Sequence, residues 1–202
     1  MIAILAHIRR LLRQERGAAV TEFALILPVF ALLLLGTFDL GYQVYLRSLV
    51  NGTVQKAARQ AAVGSVTTAN IDIYIKNQLK GILPASQRNS TTAVTITKKS
   101  YANFSNVNKA EKITSDTAPL GTYNSTDCYA DANSNGVYDT SGGKSGLGGA
   151  DDIVYYEVVV SMPRLFPLHR FINVTATQTT TAIAMIRNQP YAAQATVLTR
   201  CS

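Results

Sequence analysis

The chain has 202 residues, a formal net charge of +7, 15% charged residues and 47% hydrophobic residues. So little charge with ordinary hydrophobicity argues against disorder and fits one domain, or a domain with an anchor. Two cysteines exclude a disulfide-dense scaffold.

The N-terminus departs sharply from these averages. Arg9, Arg10, Arg13 and Arg16, against Glu15 alone, give the first 16 residues +3 and leave +4 for everything beyond. That remainder is scattered without a basic face, so a nucleic-acid partner is not expected. Phe23–Phe38 carries no charge. Its 16 residues make about 24 Å of helix, short of the roughly 30 Å hydrocarbon core. Adding Ala18–Glu22 gives 21 residues and about 31 Å, so a full span must contain Glu22. A carboxylate within a membrane costs on the order of 2.5–3.5 kcal/mol and marks a functional position. The same glutamate also fits the interface, in a first helical turn favoured by the dipole. The arginines before the apolar run, against Arg47 and Lys56 beyond it, place the N-terminus in the cytoplasm. No small-residue cleavage site follows the run, so a secretory signal fits poorly.

Beyond Asp39, apolar residues recur at helical spacing (Tyr42, Leu46, Leu49, Val50, Val54, Ala57, Ala58, Ala61), with Gly64 as the stop. Asn70–Leu83 reads as a second helix, and Ala93–Lys98, Ile153–Met162, Ile172–Arg187 and Ala195–Thr199 read as strands. Residues 100–150, rich in Asn, Ser, Thr and Gly, read as a long loop region. A long helix followed by strands predicts an α+β fold with the helix packed on an antiparallel sheet.

One metal-like pattern lies in that loop region. Asp131, Asn133, Asn135 and Asp139 fall at positions 1, 3, 5 and 9 of a calcium-loop template, with Gly136 at position 6 and the Val137 carbonyl at position 7. Alternating short oxygen side chains can converge on a hard cation while the glycine turns the chain. The closing position falls on Gly142, so Asp151 or Asp152 would have to supply the last carboxylate. The same residues also fit an Asn/Asp/Gly turn that holds no metal. Catalytic patterns are lacking. Gly143-Lys144-Ser145 misses the leading glycine of a phosphate loop, there is no G-x-S-x-G, and His169 among Phe166, Leu168 and Phe171 reads as structural. The chain is not expected to be an enzyme.

Arg16-Gly17-Ala18-Ala19-Val20-Thr21-Glu22-Phe23, directly before the apolar run, resembles the processing site of type IV pilin precursors of the Flp/Tad class. The longer stretch ERGAAVTEFALILPVFALLLLGTFDLGYQVY resembles the N-terminal signature of TadE-like minor pilins (pseudopilins). CYADANSNGVYD, GLGGADDIVYYEV and AMIRNQPY are similar to the distal half of such proteins.

The resemblance implies a pilin-like fold and cleavage by a prepilin peptidase between Gly17 and Ala18. The parts would be a leader (1–17), a transmembrane helix (18–38), an amphipathic extension (39–64) and a periplasmic domain (65–202). It further implies that Glu22 and Phe23 serve assembly with other pilin subunits and a Tad inner-membrane platform. The protein would sit in a bacterial inner membrane or in a pilus used for attachment. Outside the cytoplasm, Cys128 and Cys201 would most simply form one disulfide. The alternative is an uncleaved, signal-anchored periplasmic binding module with a calcium-stabilised loop.

Overall fold

The computed structural model describes residues 16–63, 68–189 and 192–201. His7, Arg9, Arg10, Arg13, Gly64 and Pro190 lie outside the described residues. Contacts within the chain group into two units: residues 1–44 with 163–176, and residues 45–162 with 177–202.

The first element, α1, runs Arg16–Ala62 in one piece. Its 47 residues make about 70 Å of helix. Pro28 lies inside it, where its missing N–H leaves one helical carbonyl without its usual donor. The Thr37 hydroxyl donates to the Leu33 carbonyl at 2.8 Å, which satisfies a polar group within the apolar stretch.

In the first unit, every helical side chain described up to Phe30 is exposed. A half-buried face then begins at Ala31 and continues through Leu32, Leu35 and Gly36 to the buried Asp39. The unit's other described segment is the 163–176 loop, which makes a single 3-10 turn at Leu168–Arg170 and buries Leu168.

In the second unit, the rest of α1 buries Leu46, Val50, Val54, Ala57, Ala58 and Ala61, the three- and four-residue spacing of one helix face. Helix α2 (Thr68–Lys80) adds Ile71, Ile75 and Leu79. The strands are β1 (Val94–Tyr101), β2 (Ile113–Ser115), β3 (Cys128–Asp131), β4 (Lys144–Ser145), β5 (Ile153–Pro163), β6 (Thr177–Arg187) and β7 (Leu198–Cys201). The main sheet has the order β4-β1-β5-β6. β1 and β5 pair antiparallel, from Val94 opposite Val160 to Tyr101 opposite Ile153. β5 is an inner strand, which is why Ile153, Val154, Tyr156, Val158 and Val160 are all buried. Lys98 of β1 reaches Asp72 of α2 at 2.5 Å, and Lys56 of α1 lies 5.9 Å from the Tyr74 ring centre, so both helices are tied into this unit. The architecture is α+β, with a long N-terminal helix and antiparallel sheets.

Three sequence expectations shift. The strand expected from Ile172 begins at Thr177, because residues up to Ala176 belong to the loop that Arg164 gathers. The last strand is Leu198–Cys201 rather than Ala195–Thr199. Residues 100–150 are more than loop: they hold β2, β3 and β4 and a 3-10 turn at Phe104–Asn106. β2, β3 and β7 form a second, three-stranded sheet.

Candidate functional site

Two places hold the residues singled out from sequence. The first is the apolar helix. Gly17 is exposed, and a Cβ built on it would meet nothing within 4 Å. Glu22 is exposed, as is Phe23. The helix is long and apolar enough to cross a membrane, and only 6% of its most apolar 18-residue window is buried. A core helix of that composition would be mostly covered; this one leaves its apolar surface open over several turns.

At the end of the apolar run stands Asp39, a buried carboxylate that sequence reasoning passed over. Arg164 donates to its Oδ2, and Gln43 Nε2 donates to the same oxygen at 3.0 Å. Arg164 also donates through Nε to the Thr175 carbonyl at 2.7 Å and through its backbone N–H to the Ala176 carbonyl at 3.0 Å. One side chain thus closes the base of the 163–176 loop and fixes it to the helix. An acid immediately after 16 uncharged residues was the available signal; nothing in sequence named its partner.

The second place is the Asp131 loop, between β3 and β4. It brings Asp131, Asn133, Asn135 and Asp139 together. Asp131 Oδ1 accepts from the Asn135 N–H at 3.1 Å and Oδ2 accepts from the Gly136 N–H at 3.0 Å. Asn135 Oδ1 accepts from the Val137 N–H at 2.8 Å, and the side-chain amides of Asn133 and Asn135 each donate to Asp139 Oδ2 at 2.6 Å. Gly136 has φ +78°, a conformation that glycine adopts without strain. Asp131 also accepts from Arg200 of β7. Burial alone would raise its pKa, but the Arg200 bond and the two backbone N–H groups outweigh that and hold it below the ordinary carboxylate value.

Asp151 and Asp152 are bonded elsewhere. Asp151 pairs with Arg187, at 2.9 Å, while Asp152 accepts from the Gly149 N–H and from Gln194. The carboxylate that does reach the loop is Glu111. Its Oε1 accepts from the Ala132 N–H at 2.8 Å and its Oε2 from the Asp139 N–H at 3.1 Å. A Cβ on Gly142, the template's closing position, would come within 2.7 Å of Glu111 Cγ. Among the described residues, no group of three or more His, Cys, Asp or Glu side chains is placed to hold a metal ion.

Next to this loop, Tyr123 and Tyr138 stack at 4.0 Å between ring centres, with Tyr129 edge-on to both. Tyr129 is buried, and burial followed by the nearby Asp131 charge pushes its phenol above the usual value. Cys128 and Cys201 are joined by a disulfide across β3 and β7, where they stand opposite each other. His169 is exposed on the 163–176 loop rather than part of a core.

Residues 17–62 match the family model of TadE-like proteins. Over this segment the chain is similar to TadE-like proteins. The match begins at Gly17 and ends at Ala62, the last residue of α1. No curated protein and no solved structure matches the chain. The TadE-like segment therefore coincides with the long helix, from the exposed Gly17 and Glu22 through Asp39 to the helix face buried in the second unit. The β-rich remainder lies outside it. The similarity is confined to that helix, whose exposed apolar surface fits anchoring in a membrane.

Proposed function

We propose that this chain is a minor pilin (pseudopilin) precursor, cut by a prepilin peptidase after Gly17 and assembled into, or priming, a Tad-type pilus for surface attachment. The observation that carries this reading is the family match starting at Gly17, at the head of an apolar helix whose side chains are uncovered. Its partners would be other pilin subunits and the inner-membrane assembly platform, with the β-rich domain on the periplasmic side.

Cleavage would leave Ala18 with a positive α-amine four residues before Glu22, about 6 Å along the helix axis. A buried charge is costly unless paired. In a bundle of such helices, the amine of one subunit meets Glu22 of its neighbour, and the pair sets the axial register. Phe23 packs beside it. Mass analysis of the mature N-terminus tests the reading: it requires Ala18, and an intact Met1 rejects it. Glu22→Ala should insert into the membrane normally yet fail to assemble.

The second reading is an uncleaved, signal-anchored binding module with a calcium-stabilised loop. The gathering of the Asp131, Asn133, Asn135 and Asp139 side chains in one loop supports it, with Glu111 in place of Asp151 or Asp152 as the nearby carboxylate. Calcium would have to displace Arg200 from Asp131. A higher melting temperature in calcium than in chelator would support this loop site; identical melting would reject it.

A further inference from the structure

The 163–176 loop carries three large apolar side chains that stay exposed among the described residues. Leu165 is 55% exposed, Phe171 69% and Ile172 46%. Such side chains are ordinarily scattered singly over a water-facing surface; here they share one short loop. Their exposure is built in, because the Phe171 and Ile172 backbone N–H groups both donate to the Leu168 carbonyl at 2.9 Å while Leu168 itself is buried.

The loop's attachment says what it faces. Arg164 fixes it to Asp39, the first residue beyond the uncharged run Phe23–Phe38. The half-buried helix face runs from Asp39 back to Ala31, about 12 Å into the apolar segment. Exposed apolar side chains of the loop (Leu165, Phe171, Ile172) and of the helix (Leu34, Phe38) therefore belong to one unit, the helical pair at the Asp39 end of the span. Charge points the same way. Residues 163–176 contain Arg164, His169 and Arg170 and no acid, and Arg164 is neutralised by Asp39. That leaves Arg170 and His169 exposed beside the apolar trio, the pairing of apolar and basic groups suited to an anionic headgroup layer.

We propose that this loop is a membrane-surface foot: Leu165, Phe171 and Ile172 enter the bilayer interface next to α1, while Arg170 meets lipid phosphates. The foot adds a second membrane contact to the single helix and restricts rotation of the span about its own axis. It rests on the reading of α1 as a membrane span, and on nothing about cleavage or assembly.

The chain contains no tryptophan, so a substituted one is a sole fluorescent reporter of its kind. Full-length Phe171→Trp and Ile172→Trp variants, the two loop reporters, would be reconstituted into phosphatidylcholine–phosphatidylglycerol vesicles. A Val29→Trp variant would serve as the span reporter. Brominated phosphatidylcholine should quench the span reporter. It should also quench both loop reporters, more strongly when the bromine lies near the headgroup than at the chain end. If the span reporter is quenched while the loop reporters are quenched only by aqueous acrylamide, the loop faces water and the proposal fails. If both loop reporters are shielded from acrylamide and bromine alike, protein covers the loop and the proposal again fails. An unquenched span reporter overturns the span itself, and the foot with it.

Discussion

Asp39 and Arg164 stand 125 residues apart in the chain and are bonded to each other, with only 4% and 15% of their side chains exposed. Removing one partner of a buried pair leaves an uncompensated charge, which costs about 3–5 kcal/mol. Asp39→Ala should therefore lower stability by that order and release the 163–176 loop. Faster proteolysis after Arg170 and a lower melting temperature would report it. The double replacement Asp39→Leu with Arg164→Met should recover part of the loss, since apolar groups of similar size need no partner, while the Arg164 bond to the Thr175 carbonyl is still lost.

Glu111 joins two chain segments through its bonds to Ala132 and Asp139. The missing side chain at Gly142 makes room for it, so Gly142→Ala would push Glu111 off those two N–H groups. Leaving a fully buried donor unpaired costs about 1–3 kcal/mol, and these two are half-buried, so the low end applies. Denaturant unfolding should show a loss of that order, whereas Gly17→Ala, where a Cβ meets nothing, should leave stability unchanged.

The disulfide ties β3 to β7 across a sequence separation of 73. In the chain-entropy model such a loop closure is worth about 4 kcal/mol. Cys201→Ser should destabilise the β2-β3-β7 sheet by that order. Identical melting with and without reductant would contradict it.

Acid should loosen the same region. Burial acts to raise Asp127, but hydrogen bonds from the Thr117 hydroxyl and amide and from Asn124 prevail and hold it below its ordinary value, as the Arg200 bond does for Asp131. For a depressed carboxyl, the stabilisation is whole above the unfolded-state value near 3.9 and is lost as pH falls through the lower folded value. The unfolding midpoint should thus hold from neutral pH to about 5 and drop below about 4. Asp127→Asn should flatten that drop, which a urea series at stepped pH would measure.

The first half of the molecule was legible because its signals are local. Helix periodicity places Leu46, Val50, Val54 and Ala57 on one face, and the same face is buried. The inner strand β5 reads directly from its Val- and Tyr-rich run. Of the second sheet only the neighbourhood of β7 was legible, since β2 and β3 are three and four residues long and too short to show a period.

Charge order and hydropathy alone sufficed for the long helix, its apolar stretch and the position of Glu22 within it, because each depends on neighbours a few residues away. Which carboxylate reaches the Asp131 loop, and which cation reaches Asp39, depended on the tertiary fold. Glu111 comes to the loop from an earlier segment, and Arg164 comes to the helix through the connection between β5 and β6. Those pairings join residues far apart in the chain, where no spacing rule connects them, so only the packed chain brings them within bonding distance.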